Sequence, residues 1–388
     1  MVLWVIIRCL TSIIAGLVSQ IKPITPIEIA VPFFPPTQPF NYWLDRAFIS
    51  PWMRWDALWY QRIVIHGYSS LDGTAQFHPL FPWLATLLAK IGFPAPLSLL
   101  IIGSISCIVL FGIFRRLMLL DLDQRDAFFG LLLFAFSPIA FILFAPYPEA
   151  LFLLFAVLCF WGLRQKQWWL AGLAGGLAAL TRQQGIFLII PAAWELWEDS
   201  ARKQNEILKK WKDLLAISLI PAGMAIWLGY RAVFLSDFQP DFSNLDNFIY
   251  SFLISPSASQ VVHTQQFLWP WQAFYNAIQK IISQPDLDIW VNIIIGILFL
   301  IILTLSWRKM RLSYRIYSLV IALISFSFYT GSNHPYMGLP RHLFLAFPIY
   351  IPLAQIIKKS WMRLGALTIS LLGMIFLLIL YTLNTWVP

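Results

Sequence analysis

Phe77-His78-Pro79-Leu80-Phe81-Pro82-Trp83-Leu84-Ala85-Thr86-Leu87-Leu88-Ala89-Lys90-Ile91 is apolar enough to enter a bilayer. At about 15 residues it is shorter than the roughly 20 that a crossing helix needs. Whether it crosses sets the direction of everything after it. The rest of the chain leaves no doubt about class: 388 residues, 59% hydrophobic and 12% charged, with 19 Trp and 32 Phe. That composition excludes a soluble domain and predicts an all-α polytopic membrane protein forming one domain, 1–388.

Apolar runs long or nearly long enough to span occur at 2–21, 97–114, 127–145, 149–163, 214–235, 289–306, 316–331, 343–357 and 364–384. Two shorter runs, 168–181 and 186–197, flank Thr181-Arg182-Gln183-Gln184-Gly185. The run from Val2 to Ile21 lacks a small-residue cleavage site and reads as a retained first span. If 77–91 lies along the surface, 18 of the 27 Lys and Arg, Arg8 included, share the side of the amino terminus. The positive-inside rule favours that threading. It gives eleven spans, the amino terminus in the cytosol and the carboxyl terminus outside. The basic balance of +9 is thus a topology signal, and nucleic acid is not an expected partner. Cys9, Cys107 and Cys159 fall in apolar runs and indicate neither disulfides nor a thiolate metal site.

With this threading all five histidines (66, 78, 263, 334, 342) and Asp56, Glu149, Arg182 and Arg341 gather on the outer side. Two large outer segments result, 23–96 and 236–288, with Pro32 to Pro39 as a stiff connector in the first. The second of these carries His263, Trp269 and Trp271. The charged run 198–213 is a solvated cytosolic face.

In the first outer segment, Ser50 suits an N-cap, Pro51 a first helical position and Gly67 a stop, which predicts a helix over 51–66. Trp52, Trp55 and Trp59 then form a stripe for the bilayer interface, with Asp56 at its edge. Asp56 has two readings. It pairs with Arg54 or Arg62 on a surface helix, or it is a general base between apolar walls. Arg182 interrupts two apolar runs at an insertion cost on the order of 2–3 kcal/mol. It either bridges to Glu149, snorkels, or binds an anion. Arg341 follows Pro340 at the start of a span and is an interface anchor or, helped by helix N-terminal amides, a phosphate ligand. Glu149 begins a span after Pro146-Tyr147-Pro148 and reads as a helix cap.

Arg54-Trp55-Asp56-Ala57-Leu58-Trp59-Tyr60, Gly67-Tyr68 and Phe77-His78-Pro79-Leu80-Phe81-Pro82 resemble blocks of the PIG-V family, the second mannosyltransferase of GPI-anchor synthesis, and its bacterial relatives. Ser137-Pro138, Tyr147-Pro148-Glu149-Ala150-Leu151-Phe152, Thr181-Arg182-Gln183-Gln184-Gly185 and Pro340-Arg341 continue the resemblance in the same order. His78 stands where that family has an aromatic. The resemblance implies a GT-C fold and transfer, with inversion, of a hexose, mannose by inheritance, from a polyprenyl (dolichyl-type) phosphate to a glycolipid or glycan hydroxyl. It implies Asp56 as catalytic base, Arg182 and Arg341 on the donor phosphate, and Trp55, Trp59, Tyr60, His78, Glu149, Gln183 and His342 as substrate contacts. Membrane lipids are the surroundings, the bacterial plasma membrane or the endoplasmic reticulum the location, and the non-cytosolic side the site of reaction.

No cofactor or metal is expected. Asp121-Leu122-Asp123 reads as helix-end balancing beside Arg115-Arg116, and Asp286-Leu287-Asp288 as an N-cap. The rival class is a transporter or flippase, whose polar residues belong near mid-membrane in repeated halves. No repeat is visible here. H-E-x-x-H and G-x-S-x-G hydrolase patterns are absent.

Overall fold

The computed structural model describes residues 1–21, 48–200, 209–238, 240–249, 251–252 and 266–383. The Pro32 to Pro39 connector and His263 lie outside them. Sixteen helices are described in chain order: α1 Val2–Ile21, α2 Asp56–His66, α3 Leu80–Lys90, α4 Ala95–Met118, α5 Gln124–Ala135, α6 Glu149–Arg164, α7 Trp168–Thr181 and α8 Ile189–Asp199. They continue with α9 Trp211–Tyr230, α10 Leu245–Ile249, α11 Pro270–Ser283, α12 Leu287–Ser306, α13 Leu312–Ser327, α14 Leu339–Phe344, α15 Tyr350–Ile356 and α16 Ser360–Thr382. The described β-structure is one antiparallel pair, β1 (Gln266–Phe267) with β2 (Phe328–Tyr329). Five described helices are long and apolar enough to cross a membrane: α1, α4, α9 with its extension, α12 with its extension, and α16. The protein is an all-helical integral membrane protein.

The segment that opened the question folds as α3, 11 residues long. Its rise is about 16 Å, near half the hydrocarbon thickness. Trp83, Leu87 and Ile91 leave an exposed apolar stripe along it, while Phe81, Pro82 and Ala85 are buried.

Proline breaks two of the apolar runs. After α5 the chain passes Pro138 into a 3-10 turn, Ala140–Phe144, and between α14 and α15 it does so at Phe347–Ile349 around Pro348. A ring in place of N–H cannot continue the ladder. Phe134 fills the resulting core. It stacks on Phe344 at 4.9 Å and meets Phe114 edge-on at 4.8 Å, tying α4, α5 and α14 together.

α7 and α9 approach closely enough to exclude side chains. A Cβ on Gly172 would lie 1.8 Å from the Ala216 carbonyl oxygen, and one on Gly223 would lie 2.2 Å from that of Gly176. Small residues four apart permit this approach where lipid supplies no hydrophobic drive between helices.

The helix expected over 51–66 is interrupted. A 3-10 turn covers Ser50–Trp52, and α2 begins only at Asp56, because Trp55 takes φ 52° and ψ −121°. The tryptophan stripe is lost with the continuity: Trp52 is fully buried and Trp59 is 7% exposed, so both face protein instead of the bilayer interface. Gly67 does stop α2, at φ 79°. Arg8 also departs from expectation. Its guanidinium donates to the carbonyls of Phe144 and Phe48, both at 2.6 Å, and lies over Trp52, so it is a buried strut instead of a cytosolic loop charge.

Candidate active site

Four helix ends meet around two acids and two arginines. Asp56 is the first residue of α2, Glu149 the first of α6, Arg182 follows the last residue of α7, and Arg341 sits in α14. Arg341 Nη1 donates to Asp56 Oδ2 at 2.6 Å, and its Nε lies 3.4 Å from Glu149 Oε1. Arg182 Nη1 donates to that same Glu149 oxygen, and its Nε donates to Gln184 Oε1 at 3.3 Å. Glu149 is therefore the hinge of the cluster.

Exposure separates the two acids. The side chain of Glu149 is 0% exposed, whereas that of Asp56 is 30% exposed. Only Asp56 can meet a substrate without rearrangement. Glu149 Oε2 is buried with no hydrogen-bond partner, and Arg341 Nε, despite its ion pair, makes no hydrogen bond. Buried polar atoms left unsatisfied are costly and point to a polar group that the cluster accepts. Burial alone would weaken the charge on Arg341. The carboxylates of Asp56 and Glu149 reverse this and hold its pKa above the usual value. Its guanidinium also lies 5.4 Å from the Tyr147 ring, a cation–π contact.

Local sequence explains the positions. Trp55 in the left-handed half of backbone space ends the 3-10 turn and starts α2 with the carboxylate pointing back towards α14. A bulky residue there stores strain, of order 1–3 kcal/mol, as residues at working sites often do. Gly185 lets the turn after Arg182 fold back on α7, since a Cβ there would lie 2.2 Å from the Ala179 nitrogen.

The proposed surface partners of Asp56 are otherwise engaged: Arg62 binds Asp72 at 2.7 Å, and Arg54 is buried. The Glu149 bridge considered for Arg182 is present. Arg341 is the third residue of α14, a helix of six residues. Among the expected substrate contacts, Trp55 and Gln183 are half-buried beside the cluster residues. Trp59 stacks on Phe77 at 5.7 Å, and Tyr60 packs edge-on against Phe77 and Phe81. His78 is 7% exposed, with Nδ1 2.8 Å from the Ala179 carbonyl oxygen, and burial lowers its pKa to about 3. All three pack against protein in this structure. His342 is buried near Arg182 and Arg341 and meets Phe328 edge-on at 5.2 Å. Tyr147, beneath Arg341, had been read only as part of a motif. Its place before Pro148 and Glu149 was the available signal.

Of the Asp-x-Asp pairs, Asp123 caps α5 by accepting from the Asp126 amide at 2.7 Å, and Asp121 takes two bonds from Arg164. Helix-end balancing therefore holds there, with Arg164 as partner. Asp286 takes the N-cap position of α12, as read from the sequence, but its side chain makes no cap hydrogen bond.

Residues 76–227, well under half of the chain, match the family described as dolichyl-phosphate-mannose-protein mannosyltransferase. The matched segment contains Glu149 and Arg182. Among solved structures, ArnT from Cupriavidus metallidurans bound to undecaprenyl phosphate is similar at 15% identity and a TM-score of 0.48, over 81% of this chain and 56% of that one. An apo oligosaccharyltransferase from Archaeoglobus fulgidus is similar at 11% identity and a TM-score of 0.48, over 98% of this chain and 56% of that one. This chain thus spans little more than half the length of either. No curated protein matches it.

Proposed function

We propose that the chain is a membrane glycosyltransferase that moves a hexose from a polyprenyl phosphate to an acceptor hydroxyl with inversion. The observation that carries this reading is the contact between the accessible Asp56 and Arg341, 285 residues apart in sequence, joined through Glu149 to Arg182. A base within reach of two guanidiniums is what the reaction needs. The acceptor oxygen attacks the anomeric carbon, Asp56 takes the hydroxyl proton, and the bond to the donor phosphate breaks with its electron pair leaving on phosphate. Arg182 and Arg341, always charged and able to bind phosphate two-pronged, meet the charge that develops there.

In the present arrangement Arg341 occupies Asp56 Oδ2. A donor phosphate drawing Arg341 towards Arg182 frees that oxygen for the acceptor, so donor binding prepares the base. Mannose, a PIG-V-like role and a glycolipid or glycan acceptor are the finer form of the proposal, supported by the sequence blocks and by the mannosyltransferase family matched over 76–227. The step uses no metal, because the arginines supply the cationic charge. A transporter is disfavoured because the sequence shows no repeated halves.

The test is transfer in membranes supplied with a panel of radiolabelled polyprenyl-phosphate hexoses. Asp56→Asn should lower kcat by about 100-fold or more while donor binding persists. Arg182→Ala should weaken donor binding and transfer together, with Arg182→Lys intermediate. Full transfer by Asp56→Asn would remove the proposed base. A kcat that falls in chelator and returns with manganese, at unchanged melting temperature, would place a metal in the step.

A further inference from the structure

Away from the four-residue cluster, the start of α12 and the strap between β2 and α14 bring three metal-type ligands together. Asp286, Asp288 and His334 each present a ligand atom within 4.8 Å of the others. His334 Nδ1 lies 2.7 Å from Asp288 Oδ2, while Asp288 Oδ1 accepts from the Ile289 amide at 2.8 Å. Two adjacent carboxylates repel one another. Among the described residues neither forms an ion pair with lysine or arginine, and the side chain of Asp286, the N-cap residue of α12, makes no cap hydrogen bond. No lysine or arginine among the described residues thus offsets the two carboxylates.

A second observation lies one helical turn further along the same face of α12. Asn292 is 1% exposed, and its Oδ1 has no hydrogen-bond partner. Residues four apart on a helix are neighbours, so Asn292 lies on the same face of α12 as Asp288. A bound ion, or water held by one, would satisfy it. We propose that Asp286, Asp288 and His334 form a divalent cation site of the zinc class. Two carboxylate oxygens and an imidazole nitrogen suit zinc or manganese. Calcium and magnesium prefer oxygen alone. At tetrahedral angles, ligands about 2.0–2.2 Å from one ion stand roughly 3.4 Å apart, so the His334–Asp288 pair opens slightly while Asp286 closes in.

The position gives the ion a use. The strap is already pinned at Thr330, whose hydroxyl donates to the His334 carbonyl and accepts from the Met337 amide. Seven residues beyond His334 comes Arg341. An ion joining the strap to α12 clamps the segment that delivers Arg341 to Asp56. The site stands apart from the transfer chemistry and does not depend on it.

The experiment uses the full chain in detergent, free of any affinity tag, stripped with chelator and dialysed against zinc chloride, with calcium chloride in parallel. Bound metal is counted by mass spectrometry and the melting temperature is recorded. The wild type should take up one zinc per chain and melt at a higher temperature with it. Asp286→Asn, at an exposed position, and His334→Gln should each weaken zinc binding at least tenfold and abolish the melting shift. Equal zinc uptake by wild type and both variants overturns the site. Calcium binding as tight as zinc, indifferent to His334→Gln, overturns the zinc class. The readouts are binding and melting, so their failure leaves the glycosyl transfer reading standing.

Discussion

Trp55 shows how much of the site is decided by a single backbone. Its φ of 52° belongs to glycine's territory, yet a tryptophan holds it, and the next residue is the accessible acid. Two substitutions separate ring from backbone. Trp55→Ala and Trp55→Gly both remove the indole, so their difference reports the dihedral alone. At ordinary positions glycine is the less stable of the two by roughly 0.5–1 kcal/mol. Here the order should reverse, with Trp55→Gly melting above Trp55→Ala by the equivalent of about 1–2 kcal/mol. An alanine variant as stable as the glycine variant would mean the conformation is unstrained. The sequence carried no hint of this, since Ser50 and Pro51 gave ordinary start signals and nothing between them and Asp56 announces a reversal of φ. The chemistry of Asp56 was still legible, because a lone carboxylate among tryptophans is costly without a partner. The partner was not. Arg341 is 285 residues away, and spacing rules end within a few helical turns.

Helices were more legible than their packing. The apolar runs at 2–21, 149–163 and 168–181 became α1, α6 and α7 nearly residue for residue, because a bilayer demands continuous apolar length and chain order alone reveals it. The breaks at Pro138 and Pro348 could have been read from the prolines, and were passed over because hydropathy averages through them. The contact of α7 with α9 was available in Gly172-x-x-x-Gly176. It depends on a partner glycine, Gly223, that no local pattern identifies. That contact makes a sharp comparison within one helix. Gly223→Leu drives a side chain into the Gly176 carbonyl, whereas Gly229→Leu on the same α9 meets nothing within 4 Å. The first should lower stability by about 3 kcal/mol, the usual upper cost of overpacking, and the second should leave it unchanged or slightly raised. Denaturant midpoints of the two purified variants decide it. Equal midpoints would mean that α7 and α9 are free to separate.

At the scale of the molecule, polar groups collect at two poles joined by α6. Its first residue, Glu149, belongs to the acid–arginine cluster, and its last, Arg164, binds Asp121 and the Tyr314 hydroxyl. Sixteen residues of helix hold these ends about 22 Å apart, a distance comparable to the hydrocarbon thickness. The second pole gathers further pairs, Arg311 with Glu195 and Lys166 with Asp199. It also carries the basic loops; the proposal that these face the cytosol, as the positive-inside rule expects, puts the candidate active site on the other side. Cysteine labelling tests the sidedness directly. Cys107 and Cys159 are buried, which leaves Cys9 to be replaced by serine. Leu71, 80% exposed on the strand of loop after α2, and Lys166, 70% exposed between α6 and α7, then serve as single-cysteine positions. In sealed vesicles with the non-cytosolic face outward, a membrane-impermeant maleimide should modify Leu71→Cys and spare Lys166→Cys until detergent is added. Inverted vesicles should give the opposite result. Modification of both from one side would put α6 along the membrane instead of through it, and the proposed polyprenyl donor's phosphate and Asp56 could then no longer share the outer leaflet.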